Sequence, residues 1–166
     1  MSTRTRDIET DLTRFYGMFP QPLLARDVFN IVEGHRIDSL IRVRYPGIRR
    51  DIDATHAFAA GLRPAIHEVG DTQVVVEALL QRVLGMEPDV GSLPGEMADP
   101  ARAALEALDA FPAEEASVND SARLTVELYA LVERAAEAGE PLPRPTDAPP
   151  PPQPGETAPP EAGQAD

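Results

Sequence analysis

The sequence predicts an all-α protein: a compact bundle of about six helices followed by a disordered, proline-rich acidic tail. Three observations carry this. No stretch sustains the alternation of apolar and polar residues that a half-buried strand requires. Apolar residues instead recur three and four apart through most of residues 1–139. Residues 140–166 hold 10 of the 18 prolines, and Leu142 is their only large apolar residue. Such a segment buries too little surface to offset its ordering entropy, so it reads as a tail or linker of polyproline II character.

Ile8, Leu12 and Phe15 fall at i, i+4 and i+7, so a first short helix ends before Phe19-Pro20. A second helix runs from about Pro22 to Tyr45, with proline in its first turn and Pro46-Gly47 stopping it. Leu24, Val28, Ile31, Val32 and His35 form one stripe, Phe29 and Leu40 a second, and Leu23, Ile37 and Ile41 a third. Apolar residues on so many sides predict a central, largely buried helix. A third helix covers residues 48–62, with Ile48, Ile52, His56 and Ala59 on one side. A fourth starts at the N-cap Asp71 and ends at Gly85, with a wide apolar face that includes Val75, Val76, Leu79 and Leu80. Residues 86–98, with Pro88, Gly91, Pro94 and Gly95, read as a loop. Asp99-Pro100 then reads as an N-cap followed by proline at N1 of a fifth helix. The sixth begins at Ser117-Val118-Asn119-Asp120, uses Leu124, Leu128, Leu131 and Ala135, and has Gly139 as its C′ residue.

Composition narrows the function. The chain of 166 residues has no cysteine, so disulfide scaffolds, thiolate metal sites and thiol catalysis are excluded. No apolar run approaches the ~20 residues that span a bilayer, and no signal peptide is read at the N-terminus, which suits a cytoplasmic protein with no membrane insertion. The net charge of −13 opposes nucleic-acid binding, but it is unevenly spread: residues 1–66 carry +2 and residues 67–166 carry −15. All 15 basic residues are arginine, so lysine chemistry is excluded as well. Glycine-rich phosphate loops and the G-x-S-x-G elbow are missing. His67-Glu68 begins like a zinc-protease motif, but Asp71 stands where its second histidine belongs. His35 and His56 lie on the apolar stripes of neighbouring helices. They either meet to hold a metal with Glu33 or Asp53, or are hydrogen-bonded, partly buried imidazoles. The reading is of a non-enzyme without cofactor or metal.

The densest charge lies within the second and third helices. Glu33 and Arg36 stand at i, i+3 and Asp38 and Arg42 at i, i+4, both spacings that permit ion pairs. Arg49 and Arg50 fall at the N-terminus of the third helix, where the helix dipole disfavours cations. That cost has two readings: a solvated arginine cluster, or cations that meet an acidic group outside the chain.

Two runs in this region are Ile31-Val32-Glu33-Gly34-His35-Arg36-Ile37-Asp38 and Tyr45-Pro46-Gly47-Ile48-Arg49-Arg50-Asp51-Ile52. Together, residues 29–52 resemble the helical region ahead of the metal-binding domain in von Willebrand factor A (VWA) proteins that partner MoxR-type AAA+ ATPases. That group includes the nitric-oxide-reductase activation protein NorD, the Rubisco activase component CbbO and the VWA-bearing subunit of cobalt chelatase. The D-x-S-x-S metal loop of a VWA domain is missing, as is a strand–helix alternation, so the resemblance covers the helical part alone and makes the tail a linker. It implies a helical adaptor joining an AAA+ ATPase to a client enzyme complex during metalloenzyme activation or cofactor insertion. Glu33, Arg36, Asp38, Arg49 and Arg50 are then the candidate interaction residues. The alternative is a free-standing all-α binding or assembly module whose wide apolar faces suit a homodimer.

Overall fold

The computed structural model describes residues 11–138. Six α-helices account for the architecture, and the described residues contain no strand. They are α1 (Asp11–Gly17), α2 (Pro22–Arg44), α3 (Arg49–Ala60), α4 (Val74–Val83), α5 (Gly95–Asp109) and α6 (Val118–Ala138). Ile8, the tail and the cap assigned to Gly139 lie outside the described residues.

The core is aliphatic. α6 contributes Leu128, Val132 and Ala135, all essentially inaccessible, and packs against both α5 and α2. Ala101, Ala104 and Leu108 of α5 and Ala25, Val28 and Val32 of α2 meet it. The alanines let the helix axes approach closely, while each buried Leu or Val contributes about 1.5–3 kcal/mol through lost apolar surface. α4 adds Val75 and Leu79 from the other side. A smaller cluster of Ile66, Val74, Ala78, Met97 and Leu105 closes the end near the 61–73 connection. Phe15, Tyr16, Phe19 and Phe29 stack edge-on or tilted at the α1 end, and Phe19 meets Tyr129 at a centroid distance of 4.7 Å. The Gln21 amide donates to the Tyr129 hydroxyl at 3.1 Å, which pins the α1–α2 turn onto α6.

Several punctuation signals act as the sequence predicts. Pro22 occupies the first turn of α2, and Pro46–Ile48 forms a tight 3-10 turn that ends it. Ser117 and Asp120 form a reciprocal cap on α6: the Ser117 amide donates to Asp120 at 2.8 Å, and the Asp120 amide faces the Ser117 hydroxyl at 3.4 Å. Gly85 follows α4 with φ of 80°, a conformation glycine adopts without a Cβ penalty.

Four expectations are corrected. The helix buried without interruption is α4, over Val74–Leu79, and α6 packs against α2, α4 and α5 alike, whereas α2 is buried only through Val32. Apolar residues on three sides of α2 do not all face a core: Leu23 is 67% exposed and Ile37 is 42% exposed. α4 begins at Val74 because residues 71–73 form a separate 3-10 turn, so Asp71 caps no α-helix. α5 begins at Gly95 with Pro94 as its N-cap, four residues before the predicted loop ends. Pro100 is therefore interior and buried, and its missing N–H leaves the Glu96 carbonyl without its i+4 partner.

Candidate functional site

The C-terminal half of α2, the 46–48 turn and α3 form a helical arm along one side of the bundle. No residue of α2 beyond Val32 is buried, and α3 has no buried residue at all. The arm is held to itself by polar contacts. His56 Nε2 lies 2.8 Å from Asp38 Oδ2, and Arg42 Nη1 donates to Asp53 Oδ1 at 2.5 Å. Asp38 and Arg42 thus do not pair with each other along α2, as their spacing allowed. Each reaches across to α3, where a partner of opposite charge or a hydrogen-bonding imidazole stands within range.

Glu33 and Arg36 do pair. Arg36 Nε donates to Glu33 Oε2 at 2.8 Å and Nη2 to Oε1 at 2.5 Å, with the side chains 17% and 15% exposed. The Arg36 hydrogen bonds pull the Glu33 carboxyl below its ordinary range, while burial opposes them. The buried Ser121 hydroxyl adds a smaller favourable dipole from α6 without meeting hydrogen-bond geometry. Arg36 Nη1 also reaches the Ala116 carbonyl at 3.4 Å, so the pair fastens α2 to the segment before α6.

Arg49 and Arg50 separate. Arg49 Nε donates to the Arg42 carbonyl at 2.7 Å, placing its charge at the C-terminus of α2, where the dipole favours cations. That is the local gain the sequence does not reveal. Arg50 is exposed and, like Arg44, has no carboxylate partner among the described residues. Residues 39–50 contain four arginines and no carboxylate.

His35 and His56 both line a groove of about 610 Å³ between α2, α3 and the end of α4, with Asp38, Arg42, Asp53 and Met86 among its other walls. Burial lowers the His35 pKa against the pull of Asp38 and Asp109, so the ring is neutral at pH 7. His56 is engaged by Asp38 rather than by His35. Among the described residues no three His, Cys, Asp or Glu side chains are placed to hold a metal ion.

A second polar cluster was not read from the sequence. Arg63 Nε donates to Glu77 Oε1 at 3.0 Å and Nη2 to Oε2, while Gln81 donates to Glu77 at 2.9 Å and to the Pro64 carbonyl at 2.9 Å. Glu77 is only 5% exposed, so this clamp locks the exit of α3 onto the buried helix α4. The signal was Glu77 and Gln81 at i, i+4 within the apolar run of α4; their partners lie one connection away.

The arm and the turn that follows it also carry large exposed apolar side chains: Phe58 at 72%, Leu62 at 69%, Tyr45 at 62%, Val43 at 50% and Ile48 at 42%. Compared with known proteins, the chain matches no family model, no curated protein and no solved structure. No helix among the described residues is long and apolar enough to cross a membrane.

Proposed function

We propose that the chain is a helical adaptor that binds partner proteins through the α2–α3 arm, and that its partner is a MoxR-type AAA+ ATPase acting on a client metalloenzyme. One observation carries the adaptor reading: α3 buries no residue in its own bundle, yet it presents Phe58 at 72% exposure, and Leu62, in the turn just past its C-cap Gly61, is 69% exposed. A helix gains most of its stability from packing an apolar face, and α3 leaves such residues to water. Desolvating Phe58 and Leu62 in an interface supplies about 1.5–3 kcal/mol each, the scale of a binding hot spot. The resemblance of residues 29–52 to the VWA partners of these ATPases supports the choice of partner. The polar groups of the arm serve as fasteners in this reading: Glu33–Arg36 and Asp38–His56 hold its shape, Arg49 caps α2, and Arg50 faces the partner.

The test is retention of a purified MoxR-type ATPase from the same source on the immobilised full chain, with and without ATP. The ATPase should be retained by the wild-type chain and at least ten-fold less by Phe58→Asp. Circular dichroism should show both chains equally helical, because Phe58 supports nothing inside the bundle. Retention in neither nucleotide state, or retention indifferent to Phe58→Asp, contradicts the proposal.

A further inference from the structure

We infer that α3 is an order–disorder element: it opens and closes as a unit on a bundle that stays folded, and two side-chain bridges to α2 set the balance, whichever partner the arm takes. Three observations carry this.

The first is what α3 lacks. It has 12 residues, and an isolated helix shorter than about 12–15 residues is marginal in water unless an apolar face packs. α3 buries none of its residues. Ile48 at its N-cap makes no side-chain hydrogen bond, and Arg49 and Arg50 open its first turn, where the dipole disfavours cations. By contrast α4, α5 and α6 each bury an apolar face.

The second is how α3 is held. Its side chains reach α2 through polar contacts: Asp53 accepts from the Arg42 guanidinium, Arg49 donates to the Arg42 carbonyl, and His56 meets Asp38. The Asp53 side chain is 63% exposed and that of Asp38 is 31% exposed, so water and salt compete for both bridges. Contacts of this kind shift an equilibrium without locking it.

The third is that both ends of α3 are anchored by residues outside it. On one side the Ile48 amide donates to the Tyr45 carbonyl at 3.1 Å and the Tyr45 amide to the Ile41 carbonyl at 2.7 Å, which fixes the 46–48 turn to α2. On the other side Arg63 is held by Glu77, and the Pro64 carbonyl by Gln81, both on α4. Twelve residues span about 18 Å as a helix and up to about 40 Å extended, so opening moves neither anchor.

Asp53, His56, Ala57 and Ala60 are the α3 wall of the groove of about 610 Å³, facing His35 and Met86. Opening removes that wall and ends the helical presentation of Phe58. A partner that docks on Phe58 in the formed helix therefore draws α3 closed.

Hydrogen–deuterium exchange of the full chain without any partner, resolved amide by amide, reads the opening. The amides of residues 53–60 should share one opening free energy and exchange roughly 100-fold or more faster than those of Leu128 and Val132 in α6. Asp38→Ala/Arg42→Ala removes both bridges from the α2 side and leaves the helix propensity of α3 untouched. It should speed exchange of residues 53–60 at least five-fold while the Leu128 and Val132 amides keep their rates. Raising salt to about 1 M should speed the same amides of the wild-type chain. Protection of residues 53–60 equal to that of α6 overturns the inference, as does a gradient rising from the helix ends inward with no shared opening. Rates indifferent to both the double variant and salt overturn it too. With no ATPase in the sample, an α3 that does not open and a wrong choice of partner give different results.

Discussion

Arg36 holds Glu33 through two parallel hydrogen bonds and reaches the Ala116 carbonyl with its remaining Nη. Three residues apart on α2, the two side chains join that helix to the segment that launches α6. Arg36→Ala removes the guanidinium and leaves a carboxylate with little access to water. It should destabilise the fold by about 1–3 kcal/mol. Urea unfolding of the single and double variants checks this: Glu33→Ala/Arg36→Ala should be less destabilised than the two single losses added together.

The same pair sets an acid limit. The folded Glu33 carboxyl lies below its unfolded value, chiefly through Arg36. Its contribution is therefore fully present above the unfolded carboxylate range near pH ~4.3 and is lost as pH falls through the lower folded value. Glu33→Gln should flatten that part of the stability profile measured by denaturant titration from pH 3 to 6.

His35 acts at higher pH with the opposite chemistry. Burial depresses its pKa, so the unfolded chain binds a proton that the folded chain refuses. Stability should fall as pH drops below the unfolded imidazole value of ~6.5 and level off below the folded value. His35→Gln should remove this slope between pH 7 and 5, read as melting temperature against pH.

The Arg63–Glu77 clamp should be the most sensitive polar contact in the bundle. Arg63→Ala strands a carboxylate that is 5% exposed, with Gln81 as its remaining donor, and should cost about 3 kcal/mol. Arg63→Met/Glu77→Met, which removes both charges, should recover most of the loss in the same unfolding assay.

How much of this was legible depended on the range of the interaction. Local signals read well: Pro22 and Pro46-Gly47 bound α2, Ser117 and Asp120 cap α6, and Glu33 finds Arg36 one turn away. Signals with two solutions did not. Asp38 and Arg42 are spaced to pair along α2, but α3 offers each a closer partner, which no helical wheel contains. Arg63 and Glu77 lie on different elements 14 residues apart, so only the packed structure joins them. The three apolar sides of α2 read as burial because apolarity alone does not distinguish a core face from an exposed one: Leu23 and Ile37 lie open to water. Pro100 read as a helix start because proline favours N1, yet Pro94 takes the cap and α5 carries Pro100 in its second turn.

Gly34 interrupts α2 with a poor helix former that no neighbouring atom requires. With open space at its Cβ position, Gly34→Ala should raise stability by about 0.5–1 kcal/mol through helix propensity alone. Thermal unfolding checks the sign.

Hydrogen–deuterium exchange of the full chain, alone and mixed with the purified ATPase, tests the adaptor account most directly. The account predicts slowed exchange confined to residues 34–62, with the α4, α5 and α6 amides unchanged. Unchanged exchange throughout, or protection centred on α5 and α6 with the arm as open as before, contradicts it.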